Sequence, residues 1–382
     1  MAYFDNAATT YPKPESVYTF TDKFFREFGV NSGRGQYKQA SVAHRLREET
    51  RELLLDLFHC PAKKVVFTHS ATEAINIILQ GLDFSNNSNI YLSPFEHNAV
   101  TRVVAQLMTT RSLNVHTLAV DKATLTYDME RIKLQFAKDK PHYVVISHAS
   151  NVCGLIAPIK EICQLAKANN AVNIIDMAQT AGLINTNLSS NIYDFAVFAG
   201  HKTLYAPFGV AGFICNGDAN LNPLIYGGTG NDSGNHDLPS TIPERYEVGS
   251  PNIVAIAGLN ASLKWIADTG IKNIYATEQR NRSELIGTLN KFSNIKIVCS
   301  GETDKSTGIV PCLFDGFSSD DIGQILSGRD ISVRTGLHCA PHAHKFLDTF
   351  PEGMVRFSTS YFSTSDDFEK LRNALKHIEE NS

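Results

Sequence analysis

An α/β fold with a mixed, mostly parallel seven-stranded sheet, followed by a smaller α+β C-terminal domain, is what this sequence predicts. Three observations lead there. Short apolar runs alternate with helical patterns over residues 64–216, the order expected when strands and helices form successive layers. The last two runs, 193–200 and 209–216, are separated by only eight residues. A parallel crossover needs about a dozen or more, so this pair is expected to be antiparallel. Past residue 250 the pattern changes to two long helical stretches, then short strands and helices.

Taken in order, the first fifteen residues contain Pro12 and Pro14 and read as an extended arm over the smaller domain. Runs at 64–68, 89–93, 114–120, 142–148 and 172–178 are short and apolar and read as largely buried strands. Helices are expected near 71–82, 95–109, 128–138 and 158–169. With 193–200 and 209–216 the strands number seven. Residues 253–268 and 271–292 read as helices, the second long enough to connect two domains. Strands are expected at 295–300, 308–315, 331–334 and 353–359, and helices near 319–328 and 365–380. The large domain is placed at 16–270, the small one at 1–15 plus 271–382.

Composition narrows the function classes. The 382 residues are 43% apolar with a net charge of −4. Phosphate-backbone binding needs clustered Lys and Arg, so nucleic acid is not an expected partner. No apolar stretch approaches the ~20 residues that span a bilayer, and the first residues show no basic, then apolar, secretion signal. Seven scattered cysteines form no CxxC pair. Reduced thiols in a cytoplasmic protein follow.

Several residues stand where chemistry is usually placed. Asp176 ends an apolar run, and ligands of open α/β sheets bind at the carboxyl ends of strands. Gln179 is three residues on. Lys202 follows the next run, with His201 before it and apolar, glycine-bearing surroundings. A lysine amine buried there can have a lowered pKa and act as a nucleophile. Amine and carboxylate together suit pyridoxal phosphate, which needs one to hold its aldehyde and the other to keep its ring nitrogen protonated.

Ser70 and Glu73 fit a capping box at a helix start, where free amides suit a phosphate. His97 lies past another strand end and offers a flat ring. Cys339 sits among Gly336, His338, Ala340 and Pro341, in an expected loop where Arg334, His338 and His342 favour a thiolate. No second cysteine completes a zinc set with it, and no metal is expected. Arg356, in an alternating strand pattern, can clamp a carboxylate bidentately. The glycine-rich 227–234 lacks the strand–helix context of a dinucleotide fingerprint and reads as a loop near a site entrance.

These residues, in this order, resemble the class V, fold-type I PLP enzymes, and within them the cysteine desulfurase and selenocysteine lyase group. The likeness runs from Phe4-Asp5-Asn6-Ala7-Ala8-Thr9-Thr10 to Arg356. Its most specific part is Arg334-Thr335-Gly336-Leu337-His338-Cys339-Ala340, which looks like the branch with a short cysteine loop.

The resemblance implies conversion of L-cysteine to L-alanine, with sulfur held on Cys339 as a persulfide for an acceptor protein. Selenocysteine lyase activity on L-selenocysteine, or another class V PLP reaction, is the alternative. It further implies that Lys202 binds the cofactor aldehyde and that Asp176 pairs with the ring nitrogen. Gln179 contacts the phenolic oxygen and His97 stacks on the ring. Asn151 lies by the cofactor oxygen and the substrate carboxylate, and Arg334 and Arg356 bind substrate. Ala71, Thr72 and His201 surround the phosphate. Ser250 reaches the phosphate of a partner subunit, implying a homodimer with sites at the interface. Two departures stand out. Ala199 replaces a usual Ser or Thr, removing one phosphate hydrogen bond of about 1 kcal/mol. A histidine common near Gln36 is also absent.

Overall fold

The computed structural model describes residues 1–33, 35, 37–230, 234–299 and 305–380. Gln36 lies outside the described residues, as do 231–233 of the glycine-rich loop.

Seven strands form the central sheet, in the order Lys64–Thr68, Ala211–Cys215, Phe195–Ala199, Val172–Asp176, Tyr143–Ser147, Ser88–Leu92, Leu113–Thr117. Ala211–Cys215 runs antiparallel to both neighbours; the other pairings are parallel. The mixed sheet expected from the eight-residue gap is therefore present.

Side chains along these strands feed two cores alternately, because successive residues of a strand point to opposite faces. Val66, Val145, Ile174, Val197 and Phe213 join one core, with helices Ala71–Gly81 and Asn98–Thr110. Val65, Val144, Ile175, Phe198 and Ile214 join the other, with helices Lys38–Leu57, Met129–Lys138, Ile159–Lys167 and Ile253–Thr269. Apolar side chains go both ways, which is why these strands read as short apolar runs.

A third core is built from Ala2, Phe4 and residues between 285 and 378. It holds an antiparallel sheet of Ile295–Ile297, Ile309–Phe314 and Val355–Ser358. Helices Ile271–Leu289, Ser319–Ser327 and Ser365–Glu380 supply its other side chains. Ala2–Tyr3 pairs in parallel with Ile331–Ser332, as the expected arm allows. Among the described residues no helix is long and apolar enough to cross a membrane.

Some boundaries differ from expectation. The helix expected from 95 begins at Asn98, because His97 caps it: its Nδ1 accepts the Ala99 N–H at 3.0 Å. The run 114–120 divides into Leu113–Thr117 and a short hairpin, Val120–Asp121 with Thr126–Tyr127. Sequence reasoning found no helix before residue 64, yet Glu15–Phe28 and Lys38–Leu57 are helices packed on Ile253–Thr269. Their charged, solvent-facing positions mask the apolar stripe, and neither has a side-chain N-cap to mark its start.

Candidate active site

The ends of the central strands place the reactive groups side by side. Asp176 closes its strand, 7% exposed. Its Oδ1 accepts the Ala178 N–H at 2.9 Å. Burial pushes its carboxyl up, opposed by that N–H and by Lys202. Lys202 sits in the turn after Phe195–Ala199. Burial pushes its amine down to about 8, against the attraction of Asp176, and Arg356 and Arg334 lower it further.

A cavity of about 240 Å³ is lined by Lys202, Asp176, His97, Ala71, Thr72, Asn151, Gln179, His201, Arg334, Arg356 and Cys339. The residues that the resemblance assigns to cofactor and substrate thus converge, with one exception. Ser250 lines a neighbouring cavity instead, with Gly228–Gly230 of the glycine-rich loop. Within its own chain it lies only 3.4 Å from Asn31 Nδ2.

At one end of the cavity is the start of helix Ala71–Gly81. Ser70 Oγ accepts the Glu73 N–H at 3.1 Å, but the expected capping box does not close. Glu73 Oε2 takes the His69 N–H instead, at 2.7 Å, one residue further out. The His201 ring stacks on Phe208, with centroids 4.5 Å apart. Its Nδ1 is buried with no partner. Burial, then Lys202 and Lys13, push this imidazole down to about 3, so it is neutral and able to donate from one nitrogen. Ala199 also lines the cavity and brings no hydroxyl.

His97 is likewise neutral. Burial and the cations Lys202, Arg334, Arg356 and Arg102 push it down to about 4. Because Nδ1 accepts a backbone N–H, its proton sits on Nε2. The loop before it is fixed by Glu96, fully buried, which accepts from Ser93 Oγ (2.5 Å), Ser147 N (2.7 Å) and Ser147 Oγ (2.9 Å). Burial pushes this carboxyl up to about 7. Sequence reasoning passed over Glu96, although an acid beside His97 in an apolar context was visible.

The same cavity is lined by Arg356, 2% exposed. It donates to the Asn151 carbonyl and to Asp5 Oδ1, both at 2.8 Å, and its Nε is buried without a partner. Asp5 was not singled out as a site residue; nothing local marks it, because its role depends on a partner 351 residues away. Gln179 Nε2 donates to the Ala7 carbonyl at 2.9 Å, leaving one amide hydrogen for a ligand.

Cys339 is exposed, on the loop where the flanking Gly and Pro predict it. His338 and Cys339 both hold positive φ, 48° and 57°, a region costly for side-chain-bearing residues. Tertiary contacts hold them there. Asn151 Nδ2 donates to the His338 carbonyl and Asn98 N–H to the Cys339 carbonyl, each at 2.7 Å. Gly336 and Met354 exchange two backbone bonds. His338 Nε2 lies 3.3 Å from the Arg334 carbonyl, which can only accept, so Nε2 carries the proton. His338 Nδ1 then accepts from His344 Nε2 (3.2 Å), and His344 Nδ1 from Thr349 Oγ1 (2.9 Å). Burial keeps both rings neutral, His338 pushed down to about 2 and His344 to about 4. Arg334 Nη2 stands 3.7 Å from the Cys339 sulfur. His338 and His344 bond to each other, and no His, Cys, Asp or Glu cluster among the described residues could hold a metal.

The lowered amine pKa has a measurable consequence. In cofactor-free protein, labelling of Lys202 by a small aldehyde with reductant is expected to rise about tenfold per pH unit and to level off near pH 8. Surface lysines should keep rising towards ~10.4. Peptide-resolved labelling that shows Lys202 following the surface lysines would contradict the assigned burial effect.

Comparison with known proteins gives the same grouping. Residues 2–371 match the Aminotransferase class-V family. A probable cysteine desulfurase of Methanothermobacter thermautotrophicus is 30% identical, covering 98% of this chain and 94% of its own. The apo structure of a cysteine desulfurase from Thermococcus onnurineus NA1 superposes with a TM-score of 0.91 at 26% identity, over 100% of this chain and 95% of that one. An Escherichia coli cysteine desulfurase structure, at 24% identity and TM-score 0.87 over 100% and 95% of the two chains, shares the fold. By sequence over nearly its whole length, this chain belongs to the class-V aminotransferase family.

Proposed function

We propose that this protein is a pyridoxal-phosphate-dependent cysteine desulfurase that converts L-cysteine to L-alanine and holds the sulfur on Cys339. The observation that carries the reading is a single cavity lined at once by Lys202, Asp176, Arg356 and the exposed Cys339.

The donor set fits the cofactor. A helix start with Ala71 and Thr72, and the unpartnered Nδ1 of His201, suit a phosphate. Asp176 suits a ring nitrogen, His97 a ring face, and Lys202 the aldehyde carbon. Bound there, the cofactor supplies an electron-accepting ring for the substrate α-carbon.

The protein's own groups do the rest. Arg356, held by Asp5 and the Asn151 carbonyl, binds the amino-acid carboxylate with its remaining donors. Lys202, with its pKa lowered to about 8, takes the α-proton on Nζ near neutral pH. The thiolate of Cys339 attacks the substrate sulfur. A sulfur–sulfur bond forms, the substrate carbon–sulfur bond breaks, and its electron pair stays with the carbon fragment, which takes up one proton at Cβ and regains one at Cα to become alanine. Arg334, beside the Cys339 sulfur, stabilises the attacking anion.

The same reading divides the chain into a cofactor-binding part at 16–270 and a part carrying the cysteine loop at 1–15 plus 271–382. Ser250, which lines the neighbouring cavity and not the one holding Lys202, serves a second copy in a homodimer. The exposure of Cys339 suits transfer to an acceptor protein. Six buried, unbridged cysteines suit a reducing cytoplasm.

The test is mass spectrometry of the cofactor-loaded protein after L-cysteine addition. One extra sulfur atom on the Cys339 peptide, matched by released alanine, is expected. Extra sulfur on another cysteine, or alanine without any bound sulfur, would remove Cys339 from the mechanism.

A further inference from the structure

Away from the active-site cavity, Cys153 and Cys299 line a separate cavity of about 210 Å³. Both also belong to one buried apolar cluster with Phe95, Ala340 and Met354. Cys153 lies in the turn that begins at Asn151, and Cys299 follows the strand Ile295–Ile297. The segments around them are laced together. The Ile156 N–H donates to the Lys305 carbonyl and the Thr307 N–H to the Gly154 carbonyl, both at 2.9 Å. Leu155 and Ser306 form an antiparallel bridge.

From this placement we propose that Cys153 and Cys299 are an oxidisable dithiol, closed to an intramolecular disulfide by a small uncharged peroxide entering the cavity they share.

The Cys299 thiol acts on the Cys153 thiol, as do the Ser150 hydroxyl and the Leu155 N–H. These donors favour the anion at Cys153, and the same interaction holds the proton on Cys299. Either thiol can react first; with Cys153 as the attacking thiolate the steps are these. Its sulfur bonds to one peroxide oxygen, the O–O bond breaks, and hydroxide leaves and is protonated to water. The resulting sulfenic acid is attacked by the Cys299 sulfur, which loses its proton as a second water departs. The two sulfurs together lose two electrons, and the peroxide becomes two waters.

Neither cysteine lines the active-site cavity, so the proposal stands whether or not the desulfurase reading does. It differs from oxidation of Cys339, which is exposed and has no neighbouring thiol in its own cavity.

The experiment uses the whole cofactor-loaded protein. Cys339 is first alkylated in the native state, the protein is treated with hydrogen peroxide, and peptides are mapped without reduction. Expected is a linked peptide pair containing Cys153 and Cys299, with two fewer alkylatable thiols after denaturation, reversed by dithiothreitol. Cys299→Ala protein should instead accumulate sulfenic acid at Cys153, trapped by dimedone. Peroxide treatment that leaves both thiols alkylatable, that oxidises either one without a cross-link, or that links either to another cysteine would overturn the proposal. The mapping on unsubstituted protein decides the matter even if the alanine variant does not fold.

Discussion

Lys202→Ala protein is expected to lose turnover of L-cysteine by at least ~10³-fold, since a proton-transfer group alone is worth about 10²–10⁴ and this residue also anchors the cofactor aldehyde. The argument that the loss is chemical lies in the backbone around it. The Lys202 carbonyl accepts from Thr10 Oγ1 at 2.9 Å and from the Tyr205 N–H at 2.8 Å. The His201 carbonyl accepts from Thr9 Oγ1 at 2.9 Å and Lys13 Nζ at 2.7 Å. None of these bonds uses the Lys202 amine, so the turn keeps its ties in the variant. Removing a buried cation also leaves Asp176 with one fewer attraction, and its carboxyl should titrate higher. Alanine release, cofactor absorbance and thermal melting are to be measured together. Retention of more than a few per cent of turnover, with the fold intact, would show that another group moves the α-proton.

Cys339→Ala is the second large effect. Sulfur release from L-cysteine should fall by ~10³-fold or more, the scale of losing a nucleophile that acts as part of a set, while L-cysteine binding stays within about twofold. The reason is again the division between side chain and backbone. The Cys339 carbonyl bond to Asn98 N–H survives, and alanine meets the same backbone cost at positive φ as cysteine does. Arg356 and its two partners are untouched. L-selenocysteine provides the contrast, because selenium leaves carbon more readily than sulfur. If the variant still turns over L-selenocysteine but not L-cysteine, the thiol is needed only for the harder bond. Equal losses on both substrates would disfavour the lyase alternative. Unchanged L-cysteine turnover would rule out Cys339 as the sulfur acceptor.

How far the sequence could be read depended on whether the signal was local. Six of the seven central strands were legible because each is a short run feeding two cores, as with Ile174 and Ile175. The antiparallel pairing of Phe195–Ala199 with Ala211–Cys215 followed from loop length alone. Lys202, Asp176 and Cys339 were legible from position, at strand ends and in a glycine–proline-bracketed loop. Assigning them roles needed the resemblance, since a lone Lys after a strand says little.

Long-range pairings were not legible. Asp5 with Arg356, Asn151 with the His338 carbonyl, and Glu96 with Ser147 join segments 351, 187 and 51 residues apart. The His338–His344–Thr349 chain was misread for another reason. Histidines around a cysteine suggested thiolate support, whereas burial and mutual hydrogen bonds make two of them, His338 and His344, neutral props for the loop.

The N-terminal segment, outwardly a linker with two prolines, holds two of the elements that line the cavity. Asp5 steadies the guanidinium, while Thr9, Thr10 and Lys13 grip the turn bearing the amine. The number of residues between them acts as a ruler between proton transfer and carboxylate recognition. Point changes along that stretch can be absorbed one contact at a time, but gaining or losing a single residue there displaces both ends at once. A library of indels should therefore find this stretch far less tolerant than its loop-like composition suggests.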